Sequence, residues 1–462
     1  MIFSSVSFLY YFLPAVIILY FAVPKRAKNL VLLIASLFFY FVGEPIYVLL
    51  MIGSSLSGYL HGLWIGAAKN KRLPVASSVI VGIGLLGFFK YSDFFISNIN
   101  SLVGSDIGLL KLALPIGISF YTFQILSYTI DVGRGRADVQ KNFVDFAAYV
   151  ALFPQLIAGP IVRYTDIERE LKTRTHSFEN FGLGVRRFVL GLGKKVLIAN
   201  TLAELGQTFL YSDEKTVLFC WLAAIAYTLQ IYFDFSGYSD MAIGLGRMFG
   251  FRFPENFDHP FVSKSITEFW RRWHMTLGSW FRDYVYIPLG GNRVSKLKWV
   301  RNIFVVWFLT GFWHGAEWNF IVWGLLFGVL LLLEKLFLAK LLDRLPRFVR
   351  HIYVMFIIVI SFVIFDASGM SQVITKLSDL FGISGLAFSN AITIYQLKNY
   401  AFVILIGAIG STPLMPWLVE KLRDRFGKVL NVIEPVFLAA LLLLVTGYLV
   451  DGSFNPFLYF RF

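Results

Sequence analysis

His314 stands where an imidazole can do chemistry. It lies in Thr310-Gly311-Phe312-Trp313-His314-Gly315, between the apolar runs 303–313 and 318–333. An ionisable side chain in so apolar a setting is a candidate for function. Desolvation holds an imidazole in its neutral form. That is the form a general base needs, and such a base contributes roughly 10²–10⁴-fold to rate. The flanking glycines let backbone or substrate approach closely, and Trp313 stands beside the ring. The alternative is a histidine satisfied by a neighbouring helix. His274 lies forty residues earlier, at the end of Trp270-Arg271-Arg272-Trp273-His274. Arg271, Arg272 and the nearby Arg282 suit contact with a phosphate or an adenine, or the cytoplasmic mouth of a channel, and an interfacial histidine is the plainer alternative. His61, His176, His259 and His351 have no comparable context and read as structural. No histidine spacing fits a metal site.

Two carboxylates need partners. Asp234 and Asp240 fall in the stretch from Gln230 to Asp240, among apolar and aromatic residues. A carboxylate at the centre of a membrane helix costs about 2.5–3.5 kcal/mol, so it pairs with a cation, a hydroxyl or water. One reading is a structural ion pair or cap; the other is orientation of a catalytic imidazole. No serine stands in a nucleophile-elbow context, so a Ser-His-Asp triad is not assigned. Cys220 is the only cysteine. It excludes an intrachain disulfide, and its place inside an apolar run does not suit a thioester relay.

The elements that hold these residues follow from composition. Of 462 residues, 57% are hydrophobic and only 15% charged, and the mean hydropathy is +0.68. Soluble domains carry roughly 25% charge. Apolar stretches lie near 3–23, 30–43, 46–66, 74–91, 113–131, 184–203, 217–236, 300–316, 318–339, 351–366, 397–417 and 433–450. They predict an all-α, polytopic bundle with about ten to twelve crossings. The first reads as a retained helix, since no basic leader or small-residue cleavage site accompanies it. The net charge of +14 sits in loops between apolar runs. That argues for anionic membrane lipid on the cytoplasmic side and against nucleic acid. Lys25, Arg26 and Lys28 place the first loop inside; Lys69, Lys71 and Arg72 agree if the intervening runs form a hairpin that crosses twice. Between 250 and 300 the chain is polar, basic and aromatic, which reads as interfacial helices with an aromatic belt and snorkelling cations.

These stretches together resemble the membrane-bound O-acyltransferase family, and within it the branch that acetylates bacterial exopolysaccharides such as alginate. The resemblance rests on Phe153 to Ile161, Gln230 to Asp240, Phe269-Trp270-Arg271-Arg272-Trp273-His274, Arg282 to Asn292, and Trp313-His314-Gly315. It implies one membrane-embedded domain over 1–462, with a motif-bearing core at 150–320 around a tunnel or funnel. His314 matches the family's essential histidine and His274 the second one. It implies acetyl-coenzyme A as the cytoplasmic donor, no tightly bound cofactor, an acceptor outside, and a separate extracytoplasmic SGNH-type O-acetyltransferase as partner. The setting would be the bacterial inner membrane. The chain ends Phe457-Leu458-Tyr459-Phe460-Arg461-Phe462, an F-x-Y-x-x-F pattern like that of the partner peptide in D-alanylation systems. Tyr459 in the tail 455–462 is then a candidate acyl relay or an interfacial anchor; as a relay it needs an external C-terminus. D-alanyl transfer from a carrier protein, acylation of a lipid or protein, and transport without chemistry are the competing readings.

Overall fold

A computed structural model describes residues 2–157, 159–452 and 455–456. Among these residues the structure is helical, without strands. The chain divides into two compact units. The first comprises Met1–Phe188 and Tyr238–Pro254, the second Val189–Gly237 and Glu255–Phe462.

The first unit contains α1 (Phe8–Ala22), α2 (Lys28–Gly43), α3 (Tyr47–Ala67), α4 (Arg72–Val103), α5 (Ile118–Gly133), α6 (Phe143–Ala151) and α7 (Tyr164–Lys172). It also holds most of α8 (Phe178–Gly193). Small residues set its packing. A Cβ on Gly62 would meet the Tyr128 hydroxyl at 2.3 Å, and one on Gly58 would meet Ile125 at 2.7 Å, so α3 lies directly on α5. The run α5 is buried from Ile118 to Thr129. Its 16 residues rise only about 24 Å, and the shelter of its neighbours makes so short a membrane helix viable. α2 and α3 form the expected hairpin, with the basic residues at Lys25–Lys28 and Lys69–Arg72 at its open end.

The second unit begins with the end of α8 and a widened helical turn at Lys194–Asn200. There follow α9 (Thr201–Leu210), α10 (Val217–Met248, whose last turns from Tyr238 belong to the first unit), α11 (Ile266–Arg272) and α12 (Met275–Phe281). After them come α13 (Lys296–His314), α14 (Trp318–Leu333, continued to Leu342), α15 (Arg347–Phe365), α16 (Met370–Leu380), α17 (Ala391–Gly410) and α18 (Leu414–Asp451).

Helices occupy all twelve expected stretches. Eight of them are long and apolar enough to cross a membrane. The remaining four are shorter, interrupted or more polar: α1, α5, α8 with the turn after it, and α13, which starts with Lys296, Lys298 and Arg301. On α17 and α18 large apolar side chains face outward, Phe402 at 74% and Leu443 at 72% exposure. Such a surface is stable against lipid rather than water. One expectation is corrected. The aromatics of 264–301 do not form an outer belt: Phe269, Trp273 and Trp280 are buried. Trp273 stacks on Phe269 and packs on Phe362, while Trp270 packs edge-on against Trp323 and Phe327. Facing rings bury more apolar area than an interface offers, and this decides the orientation.

Candidate functional site

The site is built on the hairpin of α13 and α14. A Cβ on Gly311 would come within 2.3 Å of the Phe320 carbonyl oxygen, and one on Gly324 within 2.3 Å of the Trp307 carbonyl oxygen. Two glycines facing each other thus bring the helix backbones into contact. His314 is the last residue of α13 and is 6% exposed. Its ring meets Trp323 edge-on at 5.1 Å and Phe365 at 5.3 Å, with Trp313 at 5.0 Å.

His274 arrives from the opposite side. Ser265 caps α11 by accepting from the Glu268 N–H. The buried Glu334 carboxylate, at the end of α14, accepts from the N–H groups of Ile266 and Thr267 at 2.7 and 2.8 Å and from the Thr267 hydroxyl at 2.7 Å. A carboxylate at a helix N-terminus satisfies the free donors and the dipole together. So fixed, α11 ends at Arg272, and His274 takes a left-handed conformation (φ 44°, ψ 52°) as the N-cap of α12. A non-glycine residue held there marks a constrained position.

The constraint aims the ring. His274 Nδ1 lies 3.0 Å from Asn256 Oδ1. The same oxygen accepts from the Thr276 hydroxyl at 2.9 Å and the Thr276 N–H at 3.4 Å. A backbone N–H only donates, so the Asn256 atom is the amide oxygen and His274 Nδ1 carries the proton. Nε2 therefore presents its lone pair. It is buried and has no hydrogen-bond partner among the described residues. Burial pushes the His274 pKa down to about 3, so the ring is neutral at ordinary pH. Phe235 packs edge-on to it at 4.7 Å, and Trp313 lies 6.1 Å away. The structure thus brings His274, Trp313 and His314 together, with the Trp313 indole in ring contact with both imidazoles.

The other sequence candidates fall elsewhere. Asp234 forms a buried ion pair with Lys195 at 2.8 Å. This follows from the close approach of α8 and α10, where a Cβ on Gly237 would lie 2.7 Å from the Gly191 carbonyl oxygen. Asp240 lies in the first unit, where Arg187 grips it at 2.9 and 3.0 Å. Arg272 is neutralised by Asp258 and Glu268, and Arg282 by Asp283. Arg271 is exposed and has no acidic partner of this kind among the described residues. Lys195 also donates to the Pro456 carbonyl, and Asn200 donates to Asn455 at 3.1 Å. Tyr459 lies outside the described residues.

Sequence reasoning passed over Asn256, Glu334 and Lys195. Glu334 and Lys195 carried a signal, as charges inside the apolar stretches 318–339 and 184–203 that require buried partners. Asn256 carried none, because an asparagine in a polar loop is unremarked until its partner is known.

The sequence profile of the membrane-bound O-acyltransferase family matches residues 134–377, which include α11–α14 and both histidines. A Pseudomonas aeruginosa protein named "Probable alginate O-acetylase AlgI" is 45% identical over 378 residues, 80% of this chain and 73% of that protein. One of the same name from Azotobacter vinelandii is 38% identical over the whole length of both. The peptidoglycan O-acetyltransferase of Helicobacter pylori is 35% identical over 84% of this chain and 81% of its own. The chain belongs to the membrane-bound O-acyltransferase family and is a multi-pass membrane O-acyltransferase.

Proposed function

We propose that the protein carries acetyl groups from cytoplasmic acetyl-coenzyme A across the bacterial inner membrane toward an extracytoplasmic polysaccharide. The observation that carries this reading is the buried His274–Trp313–His314 cluster, in which a neutral imidazole lone pair is held with no hydrogen-bond partner among the described residues. The names of the relatives point to acetyl transfer onto cell-surface glycans.

His314 takes the proton of an incoming hydroxyl, with His274 as the second imidazole. The hydroxyl oxygen attacks the thioester carbonyl carbon, an ester bond forms and the carbon–sulfur bond breaks. The imidazolium returns the proton to the departing thiolate. Tyr459 is the proposed first acceptor, since a phenol becomes a competent nucleophile once a base removes its proton. In support, Lys195 and Asn200 hold Pro456 and Asn455, three and four residues before it, within the second unit. A separate SGNH-type transferase then moves the acetyl group from the phenol ester to the glycan.

The test is a donor assay. Protein purified in detergent receives labelled acetyl-coenzyme A, and label is sought on Tyr459. His314→Ala lowers turnover by roughly 10²–10⁴-fold, and Tyr459→Phe removes the labelled peptide. Full glycan acetylation by Tyr459→Phe in cells would eliminate the relay. Undiminished turnover by His314→Ala would eliminate the base.

A further inference from the structure

Lys28, the first residue of α2, is a buried cation at 8% exposure. Its ammonium stands 4.2 Å over the Tyr20 ring and 4.7 Å over the Phe21 ring of α1. Arg174 and Lys25 both act electrostatically on it. Among the described residues none of these three cations forms an ion pair with a carboxylate. Buried charges are ordinarily paired, and like charges brought together call for an anion between them. We infer that Lys25, Lys28 and Arg174, all in the first unit, bind the phosphodiester of an anionic phospholipid in the cytoplasmic leaflet.

Local structure holds the cluster in place. α1 stops before Pro24, a single 3₁₀ turn follows at Lys25–Ala27, and α2 starts at Lys28. Lys28 is thereby folded back onto the last rings of α1. Asn29, buried beside it, donates to Asp145 Oδ1 at 2.6 Å and to the Leu171 carbonyl at 2.9 Å. These bonds tie α2 to α6 and to the end of α7, three residues before Arg174. Arg174 donates from Nη1 to the Glu170 carbonyl at 3.0 Å and from Nε to the Tyr20 hydroxyl at 3.1 Å, and its guanidinium lies 4.4 Å from the centre of the Phe251 ring. That leaves Nη2 for a further acceptor. The Tyr20 hydroxyl gives its own proton to the Phe249 carbonyl at 2.8 Å, so it accepts from Arg174 and from His176 Nε2, 2.9 Å away. Burial, and then the charges of Lys28, Arg174 and Lys25, push the His176 pKa below its ordinary value. The His176 ring is therefore neutral at pH 7 and braces Tyr20 without adding charge.

The rings under the ammonium decide the kind of anion. Phe21 is exposed, and with Leu19, Leu30 and Ile34 it belongs to the apolar outer surface of α1 and α2, which suits acyl chains rather than water. A phosphate that reaches Lys28 does so beside hydrocarbon, as the headgroup of a lipid does. In the orientation that Lys25–Lys28 and Lys69–Arg72 predict, this end of α2 lies in the cytoplasmic leaflet, where anionic lipid attracts basic residues. A basic loop offers mobile side chains in water; here the ammonium is fixed over two rings and the guanidinium by two hydrogen bonds. A choline headgroup would bring its own cation against three others. The cluster therefore favours a headgroup of net negative charge, such as phosphoglycerol, over a zwitterionic one.

The experiment counts bound lipid. Full-length protein in a neutral detergent is titrated with phosphatidylglycerol and with phosphatidylcholine of the same acyl chains, and inorganic phosphate serves as the competitor. Native mass spectrometry reads the lipid retained, and melting curves read the stabilisation that binding brings. The protein retains phosphatidylglycerol in preference to phosphatidylcholine, and inorganic phosphate at equal concentration does not displace it. Lys28→Gln and Arg174→Gln each weaken retention of phosphatidylglycerol by about tenfold, the effect of removing one charged hydrogen bond, and remove its effect on melting. Lys28→Arg keeps most of the retention, and Lys71→Gln, on a basic loop outside the cluster, keeps all of it. Arg174→Gln carries the test where Lys28→Gln fails to fold. Equal retention of both lipids, or the same loss from Lys71→Gln as from Arg174→Gln, would reduce the cluster to general surface charge and overturn the inference. Displacement by inorganic phosphate would assign the cluster to a soluble phosphate and overturn it as well.

Discussion

At the scale of single residues, the decisive contact is the one that sets where the His274 proton sits. Asn256 receives it on Nδ1 and leaves Nε2 as a lone pair in an apolar setting. Asn256→Ala removes the acceptor and frees both tautomers and the ring's rotation. The expected loss in kcat is roughly tenfold, a fraction of what a positioned base supplies, with little change in KM for the donor. A change confined to KM would speak against the tautomer argument. Burial has a second outcome at the same residue. The ordinary histidine value is 6.5 and the folded value about 3. Between the two the unfolded chain binds a proton that the folded chain refuses, so stability is full above the ordinary value and falls as pH drops toward 3. Melting curves in detergent between pH 7 and 4 should fall less steeply for His274→Gln than for the parent. Equal slopes would show that the acid sensitivity lies elsewhere.

At the scale of elements, the glycine contact between α13 and α14 positions His314. In an open helix Gly→Ala stabilises by up to about 1 kcal/mol. At Gly311 the new methyl meets backbone, at 2.3 Å, and backbone cannot swing aside. Overpacking of about 1–3 kcal/mol then exceeds the gain. Gly311→Ala should lower both melting temperature and turnover, whereas Gly84→Ala, with nothing within 4 Å, should leave both unchanged or raise the first. The hydropathy pattern found the long apolar helices, because lipid demands length and apolarity from each crossing segment, and it did not mark the short helices α6, α7 and α16. It did not find which way the rings of 264–301 turn. Phe269 and Trp273 suit an interface and a core equally in composition, and only their partners on α14 and α15, far along the chain, decide between the two.

At the scale of the whole chain, the same division explains what of the site was legible. His314, Trp313 and His274 stood out because polarity in apolar surroundings is a local signal. The pairing of Asp234 with Lys195, of Asp240 with Arg187, and of His274 with Asn256 joins residues 39, 53 and 18 apart, and no local pattern encodes such pairs. Charge carries the expectation of topology. The basic residues at the open end of the α2–α3 hairpin predict that position 71 faces the cytoplasm. Cys220 is the only native cysteine and is buried, so Lys71→Cys offers a clean test. A membrane-impermeant maleimide should label it in inverted vesicles and not in intact cells. Labelling from outside would reverse the assigned direction of transfer.

The unbroken run of α13 has one more consequence. A hydrogen-bonded rod locked to its neighbour neither stretches nor slides, so the span between its ends is a constant of the molecule. An inserted turn of four residues would shift the imidazole by about 6 Å, more than side-chain adjustment can restore. The separation between the open end of the hairpin and the imidazole is thus fixed by the number of residues in α13 and not by how its side chains turn.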